Sequence, residues 1–227
     1  MKKIGMIVAV LQEIDTLFQH LGAPLDTDTP AGYEVHRYLV SGNEIYVVPS
    51  GAGELAAAAS TQLLISTYHV DLIVNFGVCG GLTPDMNLTQ SVVVRDVIHY
   101  DFDATAFLGG GVGQYPGYPT AFIPASSDLV ALALSTEPAL KPVVCASADK
   151  FVEDPTMKQQ LHKTFGAEIC EMEAAGILLT ANRCHVPALL MKAVSDSVNG
   201  DAGQFEQMVH EAAATCLKVL LRILDTL

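Results

Sequence analysis

Basic side chains are scarce in this chain. Of its 227 residues, 12 are Lys or Arg against 25 Asp or Glu, a formal net charge of −13. Tracking nucleic-acid phosphates needs a clustered basic patch, and docking on anionic lipid needs the same sign of charge, so this balance argues against both. Only 16% of residues are charged and half are hydrophobic, so the chain must bury one sizeable core. No apolar run approaches the ~20 residues of a membrane-spanning helix. The opening MKKIGMIVAVLQEID imitates a signal peptide. Its apolar run stops at Leu11 and meets Gln12, Glu13 and Asp15, and no small-residue cleavage site follows closely. A first core strand is expected there instead. The cysteines (79, 145, 170, 184 and 216) are odd in number and have no C-x-x-C spacing. They read as small buried hydrophobes in a reducing compartment, and a cytoplasmic location is expected. H-E-x-x-H, G-x-S-x-G and Walker A patterns are missing as well. His99, Asp101 and Asp103 form H-x-D-x-D, which suits a metal but more commonly marks the entry to a polar loop. No metal and no cofactor are expected.

Short apolar runs alternate with helix-like segments, the pattern of an α/β fold. Residues 4–10 are a nearly continuous apolar run, as in a strand covered on both faces. Ile14, Leu17, Phe18 and Leu21 then follow at helical spacing up to Gly22, and 23–32 reads as a loop. Stretches 33–40 and 44–49 flank Ser41-Gly42-Asn43, a hairpin signal. Further helices are expected over 54–68, 127–134, 155–165 and 174–184, with a last amphipathic helix carrying Phe205 to Ile223 on one face. Strands are expected over 71–76, 91–100, 142–146, 168–170 and 187–194. The sequence GVCGGL after the first of these reads as a glycine loop. Residues 101–118 are the longest irregular stretch, and Phe102, Phe107, Tyr115 and Tyr118 favour binding or an interface there. No repeat or domain boundary is visible, so one domain over 1–227 is expected.

Two features carry chemistry. SGAGELA holds G-x-G-x-x-A at Gly51, Gly53 and Ala56, part of a dinucleotide fingerprint. The acid it needs should end the next strand, and Asp71 begins one instead, so the glycines more simply let backbone approach a small anion or sugar. The second feature is a set of acids where strands end: Glu13, Glu173 and Asp196. Each one alone could be a helix cap or first-turn charge. Glu171-Met172-Glu173, with two acids at one strand-to-helix junction, is not well explained that way. A carboxyl among apolar neighbours carries a proton at neutral pH, a second in contact with water can act as base, and a third can accept from a sugar diol. That division of labour fits glycosidic cleavage through an oxocarbenium-like transition state.

With these residues in order, the chain resembles the nucleoside phosphorylase/nucleosidase superfamily, and within it the bacterial 5′-methylthioadenosine/S-adenosylhomocysteine nucleosidases. The matching pieces run nearly end to end: IGMIVAVLQEID, SGAGELAAAAS, DLIVNFGVCGGL, the DFDATAF…GQYPG loop, SADKFV, CEMEAAG and KAVSDSV. The resemblance implies a three-layer α/β/α sandwich around a mixed sheet, usually a homodimer, with the 101–118 loop at the interface. It implies that Asp196 serves N7 of the purine, Glu13 activates water and Glu173 holds the ribose hydroxyls. Met172 would pack on the sugar, Phe151 and Val152 would hold the purine, and Ser195 would support Asp196. Phe107 would reach the neighbouring subunit's 5′-substituent pocket. Cys79, Gly80 and Lys192 fall at further substrate-binding positions. The chain departs from the family in three places: Lys192 replaces an arginine, Val78-Cys79 replaces serine-alanine, and Leu11-Gln12-Glu13 keeps one acid of an acid-rich helix start. Lysine is a point charge where arginine is a planar fork.

Hydrolysis is expected over phosphorolysis, because Arg37, Arg95 and Lys192 are the only basic residues near strand ends. A nucleoside-binding relative without catalysis and a dinucleotide oxidoreductase are the readings from other classes.

Overall fold

Alternation along the strands sets the two faces of the sheet. A computed structural model describes all residues, 1–227. It contains the strands β1 (Lys3–Val8), β2 (Asp26–Asp28), β3 (Val35–Val40), β4 (Asn43–Pro49) and β5 (Leu72–Gly81). These are followed by β6 (Ser91–His99), β7 (Phe122–Pro124), β8 (Lys141–Ser147), β9 (Ile169–Glu171) and β10 (Ala188–Asp196). The helices are α1 (Leu11–Leu21), α2 (Glu54–Leu63), α3 (Thr105–Leu108), α4 (Ser127–Thr136), α5 (Pro155–Phe165), α6 (Ala174–Arg183) and α7 (Ala202–Leu224). Ile4, Met6 and Val8 of β1 share a core with Leu72, Val74, Phe76 and Val78 of β5 and Leu189 and Met191 of β10. On that face α1, α4 and α7 bring Leu17, Val130, Ala212 and Leu220. The opposite face, with Ile7, Ile73, Leu190 and Val194, is covered by α2 and α6 through Ala57, Ala174, Ile177 and Leu178. Burial on both faces explains the continuous apolar runs.

All strands belong to one mixed sheet with helices on both faces, in the order β2-β3-β4-β1-β5-β10-β6-β8-β9, with β7 on β6. β4, β1, β5 and β10 run parallel. Part of the sheet closes on itself, because β9 pairs back onto the end of β5 through Gly80↔Cys170 and Gly81↔Ile169. This closure corrects the glycine loop expected at GVCGGL. The stretch continues β5 to Gly81, paired with β10 on one side and β9 on the other. Its glycines are small because side chains crowd in, not because the chain turns. Three smaller differences have local causes. Asp26–Asp28, read as loop, pairs antiparallel with Val35–Arg37. The helix expected over 54–68 ends in a wider π turn from Leu64 to Tyr68. The long stretch holds the short α3, where Asp103 accepts from Thr105. No helix is long and apolar enough to cross a membrane.

Candidate active site

The carboxyl ends of β1, β5 and β10 open on one cleft. Glu13, Cys79, Gly80, Phe151, Val152, Met172, Glu173, Ser195 and Asp196 all line it. Of the remaining expected site residues, Lys192 lies behind the wall, 1% exposed, and Phe107 is 80% exposed on the 101–118 stretch, outside this chain's own cleft. The Phe151 ring meets Phe205 of α7 edge-on, with centroids 5.5 Å apart, giving the cleft an aromatic wall.

Glu13 is the third residue of α1. One carboxylate oxygen, Oε2, accepts from Val10 N (3.1 Å) and Ala9 N (3.3 Å), as a first-turn acid does. The other, Oε1, reaches across to accept from Val78 N at 2.7 Å. Gly77 permits that reach, since a Cβ there would lie 2.5 Å from Oε1. Burial raises the Glu13 pKa, while the Lys192 charge and the three N–H donors hold it back. A raised pKa makes a carboxylate the stronger base, and the N–H donors hold it in place.

Asp196 ends β10 at a bulge: Val194 pairs with Cys79 and Asp196 with Gly80, so Ser195 is the extra residue. Bulges re-aim side chains beside functional sites. Ser195 Oγ lies 2.9 Å from Asp196 Oδ1 and 3.2 Å from the Cys79 carbonyl. The helix cap here is supplied by Asp201, which accepts from Gln204 N, and not by Asp196. The other oxygen, Asp196 Oδ2, is 2.5 Å from Lys158 Nζ. That ammonium also donates to the Ser197 carbonyl (2.7 Å) and the Gly200 carbonyl (3.0 Å), which uses all three of its protons. Lys158 is fully buried in α5. Sequence reasoning misses it, because a lysine among the polar residues of a surface helix carries no local sign of burial.

Glu171 and Glu173 divide their tasks. Glu171 Oε2 accepts from Lys192 Nζ (2.9 Å) and from the N–H groups of Glu173 and Ala174 at the start of α6 (each 3.1 Å). Burial opposes its charge, but Lys192, Ser147 and the backbone donors outweigh it and the pKa is lowered. Glu173 Oε1 accepts from Gly53 N (3.1 Å), and Lys192 is 3.9 Å from its Oε2. Burial, then the charge of Glu171, pushes Glu173 up to about 8. The SGAG glycines thus bring a backbone donor to a carboxyl in the cleft. Asp71 lies before β5, where it accepts from Lys3 N, at the opposite edge from a ribose-binding acid.

The other expected chemistries are placed elsewhere. His99 is 2.9 Å from Asp101 and 2.7 Å from the Tyr115 hydroxyl, which ties down the long loop. Burial pushes the Cys79 thiol well above its ordinary value and Cys170 up to about 12, so neither thiol in the cleft is a ready nucleophile. Arg37 is taken by Asp26 and Glu44, and Arg95 by Asp96, away from the cleft. The buried cations Lys158 and Lys192 are each paired with a carboxylate.

A cleft at the carboxyl edge of the parallel strands, lined by the carboxyls of Glu13, Glu171, Glu173 and Asp196 and by an aromatic wall, suits glycosidic-bond chemistry. The model of the phosphorylase superfamily matches residues 3–227. A 5′-methylthioadenosine/S-adenosylhomocysteine nucleosidase of Shewanella pealeana is 32% identical over 99% of this chain and 100% of its own length. Among solved structures, a Helicobacter pylori 5′-methylthioadenosine/S-adenosylhomocysteine nucleosidase with butyl-thio-DADMe-Immucillin-A superposes with a TM-score of 0.92 at 29% identity. It covers 100% of this chain and 99% of its own. The futalosine hydrolase of the same organism gives 0.93 at 27% identity, with 100% and 98% covered. The chain belongs to the phosphorylase superfamily and, within it, to the 5′-methylthioadenosine/S-adenosylhomocysteine nucleosidase family.

Proposed function

We propose that this protein hydrolyses the N-glycosidic bond of 5′-thio-substituted adenosines, methylthioadenosine and S-adenosylhomocysteine, to adenine and a thioribose. What carries the reading is the convergence of Glu13, Glu173 and Asp196 on one cleft, each in a different environment. Adenine lies against Phe151 and Phe205 beside Val152, with N7 toward Asp196. As the C1′–N9 bond breaks, its electron pair passes to the base and the sugar becomes oxocarbenium-like. Asp196, held by Ser195, passes a proton to N7 as the Lys158 ammonium on Oδ2 hands one to it, so the ion pair ends as a carboxylate beside a neutral amine. Water adds to C1′ and leaves its proton on Glu13. Glu173 accepts from the ribose hydroxyls, which become better donors as the ring gains positive charge, so this contact favours the transition state. Met172 packs on the sugar, Cys79 and Gly80 complete the wall, and Lys192 acts from behind it. Water is preferred over phosphate because the buried cations are already paired.

The same reading carries a cytoplasmic homodimer with the 101–118 loop at its interface. Exposed Phe107 and Leu108 there suit burial by a second subunit. The test is product analysis with methylthioadenosine, S-adenosylhomocysteine, adenosine and inosine, each with and without phosphate. Free base and free sugar without phosphate support the hydrolase. Sugar 1-phosphate appearing only with phosphate replaces it with a phosphorylase, and no base release removes catalysis from the reading. Futalosine belongs in the panel because of the second structural neighbour.

A further inference from the structure

Behind the cleft, Ser147 joins two carboxyls that the reaction above does not use directly. Its Oγ lies 2.5 Å from Glu54 Oε1 and 2.5 Å from Glu171 Oε1, and it accepts from Ala175 N at 3.2 Å. All three side chains are buried. A hydroxyl has one proton to give and two lone pairs to receive. With both carboxyls ionised, one carboxylate oxygen would face a serine lone pair at that distance with no hydrogen between. A further proton therefore sits on one of the two acids. Glu171 already accepts from the Lys192 ammonium and from two N–H groups, all of which favour its charge. The only other donor to Glu54's carboxyl is Gly176 N, on Oε2, which leaves Oε1 to carry a hydrogen. The charged groups around Glu54 are of one sign. Glu171 faces it from β9, and Asp149, which accepts from Glu54 N, faces it from the end of β8. The Glu54 charge also acts on the uncharged phenols of Tyr100 and Tyr115. Burial and the Glu171 charge accordingly push Glu54 up to about 7.

We infer that Glu54 is a neutral carboxylic acid in the folded protein and a positioning residue. It donates to Ser147, Ser147 donates to Glu171, and the ionised Glu171 draws the Lys192 ammonium away from Glu173. The 2.9 Å and 3.9 Å separations from Lys192 are the product of that relay. Glu173 is thereby left to the ribose diol, a step that rests on the function proposed above. When Glu54 loses its proton, two carboxylates compete for one hydroxyl hydrogen, Glu171 loses a donor, and the lysine is no longer held to one side. The relay thus fails as pH rises.

Two measurements test this, the first without any substrate. With ¹³C-labelled glutamate at pH 6, the infrared spectrum should show protonated-carboxyl carbonyl bands, one of which disappears in Glu54→Gln. The amide in that variant reproduces the neutral pattern, with its NH₂ toward Ser147 and its oxygen toward Gly176 N. An unchanged set of bands, or a Glu54→Gln protein that does not fold, overturns the inference whatever the protein hydrolyses. The second measurement is the pH dependence of KM for the nucleoside. The rise in KM between pH 6 and pH 9 should be at least threefold smaller in Glu54→Gln than in the parent, with the kcat ratio alike in both. Ser147→Ala, which cuts the relay and leaves Glu54 in place, should raise KM severalfold already at pH 6. A lost band with unchanged KM behaviour in both variants would overturn the positioning role. If the nucleosides are not substrates at all, the infrared result still decides the protonation state.

Discussion

Replacing Lys158 with methionine removes one ammonium and keeps most of the side chain's volume. The structure places that ammonium 2.5 Å from Asp196, with Lys158 0% and Asp196 2% exposed, and directs its other two protons to the Ser197 and Gly200 carbonyls. The substitution leaves a buried carboxylate with Ser195 as its remaining donor, and two carbonyls lose a charged partner. Removing one member of a buried pair costs ~3–5 kcal/mol, because the remaining charge is uncompensated. Against a total stability of ~5–15 kcal/mol this is a large loss. With a urea slope near ~3 kcal/mol/M it moves the midpoint down by roughly 1–1.7 M. Equilibrium urea unfolding of Lys158→Met, Asp196→Asn and the double variant measures it. In the double variant the stranded charge is gone, so the cycle should show a coupling of ~2–3 kcal/mol. A Lys158→Met loss below ~1 kcal/mol, the range of an exposed pair, or strictly additive losses would refute the reasoning.

Asp196→Asn should abolish turnover while circular dichroism shows a folded protein, because an amide cannot relay a proton from Lys158 to N7. Glu13→Gln should lower kcat more than it raises KM in steady-state assays, as the loss of a base does and the loss of a simple contact does not. Gly77→Ala puts a methyl 2.5 Å from Glu13 Oε1. It should cost ~1–3 kcal/mol in stability by overpacking and, in the same assays, lower kcat more than tenfold by displacing the carboxylate from Val78 N. The Glu173 carboxyl is raised from its ordinary 4.5 to about 8 by burial and then by Glu171. The folded chain therefore holds a proton there that the unfolded chain releases. The stability this adds is complete below pH 4.5 and is lost as pH rises through about 8. Melting temperatures measured from pH 5 to 9 should fall less steeply in Glu173→Gln than in the parent.

Much of this site is legible in the order of residues, for a physical reason. Strand-to-helix junctions carry local signals, and the parallel β1 and β10 bring Glu13 and Asp196 to one edge, which Glu173 reaches from β9, antiparallel to β5. Glu13, Glu173 and Asp196 therefore stand out by position and residue type, and all three line one cleft. Glu171 is visible as half of an unusual pair, but its task, holding Lys192, is not. GVCGGL misleads because glycine usually marks a turn. Here Gly77 and Gly80 make room for Glu13 and for Asp196 with Cys170, which are contacts distant in sequence.

The amino-acid sequence by itself determined the α/β class, the strands and helices with strong periodicity, and which acids end strands, since each depends on neighbours a few residues away. Only the tertiary structure decided how β9 closes the sheet onto β5 and which carboxyl each lysine meets. It also decided where Glu54 keeps its proton. Those outcomes depend on burial and on charges brought together from 38 residues apart for Lys158 and Asp196 and 93 for Ser147 and Glu54. Desolvation and Coulomb attraction act through space, and no pattern along the chain encodes them locally.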